Sequence, residues 1–110
     1  MSVGEVIRER MDMLGISVDQ VSDTTLHYWP DFEDVLSGTV QIDTADIDDY
    51  ELSMLGNAML CSPAYFTSVE ERDKDIVHQN YGRSNVTIKT LLQMARIQQF
   101  MRDLHFLKSL

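Results

Sequence analysis

Apolar side chains recur at helical spacing along most of the chain, and they predict helices throughout. In the segment "GEVIRERMDMLG" the apolar residues fall three and four positions apart, the pattern of an amphipathic helix, and Gly15 follows as a stop signal. Ser17 is a candidate N-cap for a second helix that carries the apolar pair Val18 and Val21. This part of the chain therefore predicts two short helices joined by a tight turn.

Three further short helices are predicted before residue 66. Pro30 is tolerated only near a helix start, so a third helix begins close to it and ends before Gly38. A fourth runs from about Asp46 to Leu60, because acids crowd its first turn, where the helix dipole favours them. The segment "SPAYF" then forms a turn and a short fifth helix. The expected core residues are Val6, Ile7, Leu14, Val21, Phe32, Val35, Leu36, Leu52, Leu55 and Phe66.

The C-terminal part of the chain predicts one long helix with a wide apolar face. Residues 67–85 are polar and form an expected junction, with one or two helical turns around residues 70–77. Residues 86–110 contain neither Gly nor Pro, and Asn85 is a possible N-cap for them. Their apolar positions cover more than half of the helix circumference, so we expect a symmetric dimer contact, with packing on its own domain as the alternative. The expected dimer residues are Leu91, Met94, Ile97, Met101 and Leu104.

Composition and charge narrow the class of protein. A chain of 110 residues with 44% hydrophobic and 25% charged residues is typical of one globular domain with its own core. A single cysteine, Cys61, excludes an internal disulfide, and no apolar run approaches the roughly 20 residues of a membrane span. The first residues carry both charge signs, unlike a signal peptide. We therefore expect a cytoplasmic protein that has no membrane partner.

The net charge of −9 is distributed unevenly along the chain. Residues 1–66 contain 13 acids and two bases, whereas residues 67–110 contain five acids and seven bases. An acidic N-terminal part repels nucleic acid at long range, because DNA affinity comes largely from neutralised phosphates. The same acids also keep a small domain in solution, and the charge alone does not separate these roles.

No motif indicates catalysis, a cofactor or a metal. The three histidines, His27, His78 and His105, lie far apart without the spacing of metal ligands. Cys61 has no neighbouring base that would activate it as a nucleophile, and the chain has no Gly-rich phosphate loop. We expect no enzymatic activity, no cofactor and no metal site.

Three stretches of the chain resemble the Cro/repressor-type helix-turn-helix family, also called XRE. They are "GEVIRERMDMLGIS", "DVLSG" and "LGNAMLCSPAYF", and the resemblance covers Gly4 to about Phe66. The pattern that begins at Ile42 and Asp43 is similar to the HigA-like antitoxin branch. The resemblance implies an all-α protein with a five-helix helix-turn-helix domain in residues 1–66, followed by the junction and the long C-terminal helix. It also implies a transcriptional regulator or antitoxin-like protein that binds operator DNA as a homodimer.

The resemblance places the DNA-contacting positions at the start of the second helix and in and after the third. The chain departs from the family pattern there, with Val18 where Gln is common and Leu26 where the turn usually has Gly. The third helix has no Lys, Arg, Asn or Gln, the side chains that make most bidentate base contacts. The implied DNA-binding residues are Ser17, Val18, Tyr28, Trp29, Thr39 and Gln41.

The acids of the third helix leave a second hypothesis open. Asp31, Glu33 and Asp34 beside DNA phosphates would weaken binding, whereas they suit a basic protein partner such as a toxin. Trp29 next to them is a residue type that often anchors protein interfaces, although it also packs on its own domain. The chain is then a protein-interaction module of helix-turn-helix fold that binds through Trp29, Asp31, Glu33 and Asp34.

Overall fold

The described residues fold entirely into helices joined by short turns. The computed structural model describes residues 3–25 and 47–110, with side chains from 3 to 21 and from 47 onward. Within these ranges there are six α-helices, one 3₁₀ helix and no strand, so the predicted all-α class is confirmed. The α-helices are α1 (Val3–Leu14), α2 (Val18–Thr25), α3 (Asp49–Met59), α4 (Val69–Lys74), α5 (Ile76–Asn80) and α6 (Ile88–Ser109), and the 3₁₀ helix is Pro63–Phe66.

The turn between α1 and α2 follows from its local sequence. Gly15 has a positive φ of 66°, and the Ile16 amide donates to the Met11 carbonyl at 3.0 Å, which closes α1 in a Schellman motif. At the start of α2, the Gln20 amide donates to Ser17 Oγ at 3.3 Å and the Ser17 amide donates to Gln20 Oε1 at 2.8 Å. This reciprocal arrangement is a capping box. The predicted roles of Gly15 and Ser17 are confirmed.

The helix α3 starts later than its acidic sequence predicts. Asp48 is the N-cap, and its Oδ1 accepts from the Glu51 amide at 2.7 Å, so the helix begins at Asp49 and not at residue 46. At the other end Leu60 adopts a left-handed conformation with φ 56°, and the Cys61 amide donates to the Gly56 carbonyl at 3.0 Å. The predicted end of this helix is therefore close to the observed one.

The long C-terminal helix also begins later than predicted. Thr87 is its N-cap, because Thr87 Oγ1 accepts from the Thr90 amide at 3.2 Å, so the suggested cap Asn85 was wrong. The polar stretch before it contains two short helices, α4 and α5, in agreement with the one or two helical turns predicted there. Val77 in α5 is fully buried, so this stretch contributes to the core.

Among the described residues, the core consists of two apolar clusters that share α1. One lies between α1, α2, α3 and the 3₁₀ helix, and the other lies between α1, α5 and α6. Burial is confirmed for Val6, Ile7, Leu14, Val21, Leu55 and Phe66, while Leu52 is partly buried; the predicted core residues Phe32, Val35 and Leu36 lie outside the described residues.

The glycine in the middle of α3 allows the chain to turn back closely on this helix. A Cβ at Gly56 would lie 2.7 Å from the Cys61 carbonyl oxygen and 3.3 Å from the Pro63 nitrogen. Both atoms belong to the backbone, so the turn itself would have to move. This close approach positions the 3₁₀ helix against the core.

We expect Gly56→Ala to destabilise the protein by about 1–3 kcal/mol, the usual cost of overpacking. A loss of stability would be informative, because helix propensity alone favours Ala over Gly by about 1 kcal/mol and would make the variant more stable. The matched control is Asn57→Ala on the exposed side of the same helix, which we expect to change the free energy of unfolding by less than about 0.5 kcal/mol. Urea unfolding measures both, and an unchanged Gly56→Ala variant would contradict the close approach.

Candidate functional site

The described part of the predicted DNA surface is the start of α2. Ser17 is exposed, and its hydroxyl caps the helix. Val18 is partly buried and packs against the first apolar cluster. The other predicted contacts of the two hypotheses, Tyr28, Trp29, Asp31, Glu33, Asp34, Thr39 and Gln41, lie outside the described residues.

A buried arginine in α1 forms the polar centre of the molecule. Arg10 is 0% exposed, and its Nη1 donates to Asp75 Oδ1 at 2.8 Å. Its Nε donates to the Met59 carbonyl at 3.1 Å, and its Nη2 donates to the Leu60 carbonyl at 3.0 Å. All three guanidinium nitrogens therefore have partners, which is what a buried charge requires.

Asp75 extends this centre to the two C-terminal helices that contact α1. Its Oδ1 also accepts from the His78 amide at 3.0 Å, which makes Asp75 the N-cap of α5. Its Oδ2 accepts from Gln98 Nε2 in α6 at 2.8 Å, and Gln98 Oε1 in turn accepts from the Ile76 amide at 2.8 Å. One carboxylate thus connects α1, α5 and α6.

The 3₁₀ helix supplies an aromatic wall to the same centre. The Arg10 guanidinium carbon lies 4.8 Å from the centre of the Tyr65 ring, within cation–π distance. The Tyr65 hydroxyl donates to Met13 Sδ at 3.8 Å. The rings of Tyr65 and Phe66 pack edge-on, with their centroids 5.6 Å apart. Arg72 Nη1 donates to the Tyr65 carbonyl at 2.9 Å. We call Arg10, Asp75, Gln98 and Tyr65 the Arg10 centre.

The Arg10 centre changes the charge available to an external ligand. Arg8 and Arg10 are the two bases of residues 1–66, and Arg10 is fully buried and paired with Asp75. Arg8 is exposed, so it alone presents a cation on the surface of this part of the chain. The signal in the sequence was that Arg10 falls within the apolar stripe of α1, but nothing local indicated a partner 65 positions away.

The long helix α6 has two apolar faces with different environments. Leu91 and Ala95, 3% and 0% exposed, pack against α1 and α5 in the second cluster. The expectation that Leu91 contacts a second subunit is therefore corrected, because it is occupied within its own chain. Met94 packs partly against the same cluster. The remaining predicted dimer residues stay accessible, with Ile97 64%, Met101 58% and Leu104 37% exposed.

Further apolar side chains extend the accessible face toward the end of α6. Phe100 is 63% exposed and Leu107 is also 63% exposed, and neither was among the predicted dimer residues. At its beginning this face borders an apolar groove of about 290 Å³, which lies beside α5 and is lined by Ile76, Met94, Ile97, Gln98 and Met101. Contiguous apolar surface of this kind is typical of protein interfaces.

Two general properties of the described ranges bear on function. None of the helices within residues 3–25 and 47–110 has the length and apolar character needed to cross a membrane. The same residues contain no group of three or more side chains suited to holding a metal ion. The class that these features define is a small all-α protein with a buried charged centre and an accessible apolar helix face.

Comparisons with protein families, curated proteins and solved structures give no match to this chain.

We expect Arg10→Met to reduce the free energy of unfolding by about 3–5 kcal/mol, because it leaves Asp75 as an unpaired buried charge. The double variant Arg10→Met, Asp75→Asn should recover part of this loss, since no buried charge then remains. The control Arg8→Met removes an exposed arginine from the same helix and should have little effect. Denaturant unfolding of these variants and of Asp75→Asn alone tests this, and a loss in the double variant equal to the sum of the two single losses would contradict the pairing.

The pH dependence of stability should report burial next to the Arg10 centre. Burial raises the pKa of the Cys61 thiol from 9.0 to about 12 and that of the Tyr65 hydroxyl from 10.0 to about 12. The unfolded chain therefore loses these protons first, so stability is fully present below about pH 9 and falls as the pH rises toward 12. In Cys61→Ala the fall should begin nearer pH 10, where Tyr65 starts to titrate in the unfolded chain. Identical profiles for both proteins in unfolding experiments would contradict this assignment.

Proposed function

We propose that this chain is a helix-turn-helix transcriptional regulator or antitoxin-like protein that binds operator DNA as a dimer. The observation that carries the proposal is the α1–turn–α2 arrangement, in which a capped short helix follows a Schellman turn and packs against α3. This is the arrangement that the resemblance implies for residues before the reading helix. The accessible apolar face of α6 supports the dimer.

The start of α2 offers the kind of contact that positions such a protein on DNA. Ser17 is exposed at a helix N-terminus, where amides and hydroxyls favour phosphate oxygens. A twofold dimer would set two such helices on successive turns of the duplex. The contacts would be mostly uncharged, because Arg8 is the one accessible base in residues 1–66.

The second candidate is a protein-interaction module of the same fold that binds a basic protein, such as a toxin. The burial of Arg10 favours it, because residues 1–66 then contain 13 acids and only one accessible base. Such an excess of negative charge attracts a cationic partner and repels DNA. The two candidates differ in the role of the acids. In the regulator the acids weaken DNA binding, and in the interaction module they bind the basic protein partner.

An anisotropy titration with the DNA upstream of its own gene, at two salt concentrations, tests the first candidate. We expect a shallow salt dependence, because each neutralised phosphate adds roughly 0.9 to the slope and few cations are accessible. A steep dependence would instead indicate that the bases of α6 contact the DNA. No binding at low salt would contradict the regulator.

Neutralising the acids of the predicted third helix separates the candidates further. Asp31→Asn, Glu33→Gln, Asp34→Asn together should strengthen nonspecific DNA binding by removing repulsion. The matched control carries the same charge change on α4, as Glu70→Gln, Glu71→Gln, Asp73→Asn, and should have a smaller effect. If the first triple instead abolishes binding to a basic protein partner and leaves DNA binding unchanged, the interaction module is supported.

A further inference from the structure

The accessible face of α6 has the spacing of a coiled-coil seam. Ile97, Phe100, Leu104 and Leu107 are separated by three, four and three positions, which are successive a and d positions of a heptad. All four are exposed, three of them by more than 60%. We call these four residues the α6 seam.

The α6 seam lies on the side of the helix that faces away from the buried Ala95. Residues of an α-helix are about 100° apart, so Ile97 lies roughly 200° around the helix from the fully buried Ala95. A second helix can therefore approach the seam from the side opposite Ala95, next to the groove that Ile97 lines together with Ile76 of α5. The previous heptad positions, Thr90 and Gln93, are polar, so the apolar seam is confined to the second half of the helix.

The charges beside the seam select one orientation. In a parallel pair of helices, the residue before an a position faces the residue five positions further along the other helix. Asp103 then faces Lys108 of the second copy, and symmetry repeats this pair of opposite charges. An antiparallel pair centred on the seam has its midpoint near residue 102, so Asp103 would lie close to Asp103 of the second copy. Asp103 and Lys108 are both exposed, and within its own helix Asp103 Oδ1 accepts from Gln99 Nε2 at 3.1 Å.

We propose that α6 associates in parallel with α6 of a second copy of this chain through Ile97, Phe100, Leu104 and Leu107, with Asp103 of each copy facing Lys108 of the other. The inference specifies the dimer of the proposed function, and it does not depend on DNA binding.

The size of the seam sets the expected affinity. A large side chain presents on the order of 200 Å² when fully accessible, so the exposed fractions of the seam and Met101 amount to roughly 600 Å² per chain. A standard interface takes about 800 Å² per partner. The dimer is therefore small, and we expect dissociation in the micromolar range.

Sedimentation of the full chain over a concentration series tests the seam with a matched pair of variants. Phe100 on the seam and Phe106 off it are 63% and 62% exposed on the same helix. We expect Phe100→Glu to weaken dimerisation at least about tenfold and Phe106→Glu to leave it nearly unchanged. A monomeric wild-type chain at about 100 μM, or equal effects of the two variants, would overturn the proposal. Because sedimentation contains no DNA, its outcome is independent of the anisotropy titration.

Cysteine crosslinking of the full chain tests the orientation. In the parallel pair, Leu107→Cys places the two introduced thiols at one level of the seam, within the 4.4–6.8 Å Cα separation of a disulfide. In an antiparallel pair the same positions are about ten residues, or roughly 15 Å, apart. We expect oxidation to crosslink Leu107→Cys with itself, whereas crosslinking only in a mixture of Ile97→Cys and Leu107→Cys would overturn the parallel arrangement. The native Cys61 is 3% exposed, so unmodified protein serves as the control for its contribution.

A charge exchange tests the proposed pairing of positions 103 and 108. Asp103→Lys and Lys108→Asp should each weaken the homodimer, whereas an equimolar mixture of the two variants should associate as well as the wild type. In the mixture, each side of the parallel pair again has opposite charges at positions 103 and 108. A mixture no more associated than either variant alone would overturn the proposed pairing.

Discussion

The rest of the described structure depends on the contacts that the buried Arg10 guanidinium makes with Asp75 and with the end of α3. This guanidinium is fully buried, it satisfies the carbonyls that end α3, and it pairs with Asp75 at 2.8 Å. Because Asp75 also caps α5 and accepts from Gln98 in α6, one charged group holds the C-terminal helices in place against α1. A buried charge is expensive unless all of its partners are present, so the geometry of these elements is linked.

This linkage explains why the polar stretch after residue 66 is not a simple connection. It supplies Asp75 and the buried Val77, and it thereby fixes where α6 begins to pack. The first half of α6 contributes Leu91 and Ala95 to the core, and the second half extends beyond the part that covers it. One continuous helix therefore serves two purposes, internal packing along its first turns and an accessible apolar face along its last.

The same arginine also affects the functional argument. A sequence count assigns two bases to residues 1–66, but burial removes Arg10 from any external interaction. DNA binding by residues 1–66 then has to rely on Arg8 and on uncharged groups, whereas a basic protein partner gains from the excess of acids. Residues 1–66 therefore offer fewer accessible positive charges to a ligand than the composition indicates, and the charge they can present is more strongly negative.

The sequence by itself determined the helical class, the turn at Gly15, the cap at Ser17 and part of the described core, because these depend on local spacing and on backbone conformation. It placed the starts of α3 and α6 too early. Several Asp, Asn and Thr residues near each start are possible N-caps, and the structure uses Asp48 and Thr87. Only the tertiary structure decided that Arg10 meets Asp75, and that Leu91 faces inward while Ile97 faces outward. Contacts between residues far apart in the chain follow from how the helices pack, and spacing within a single helix carries no information about them.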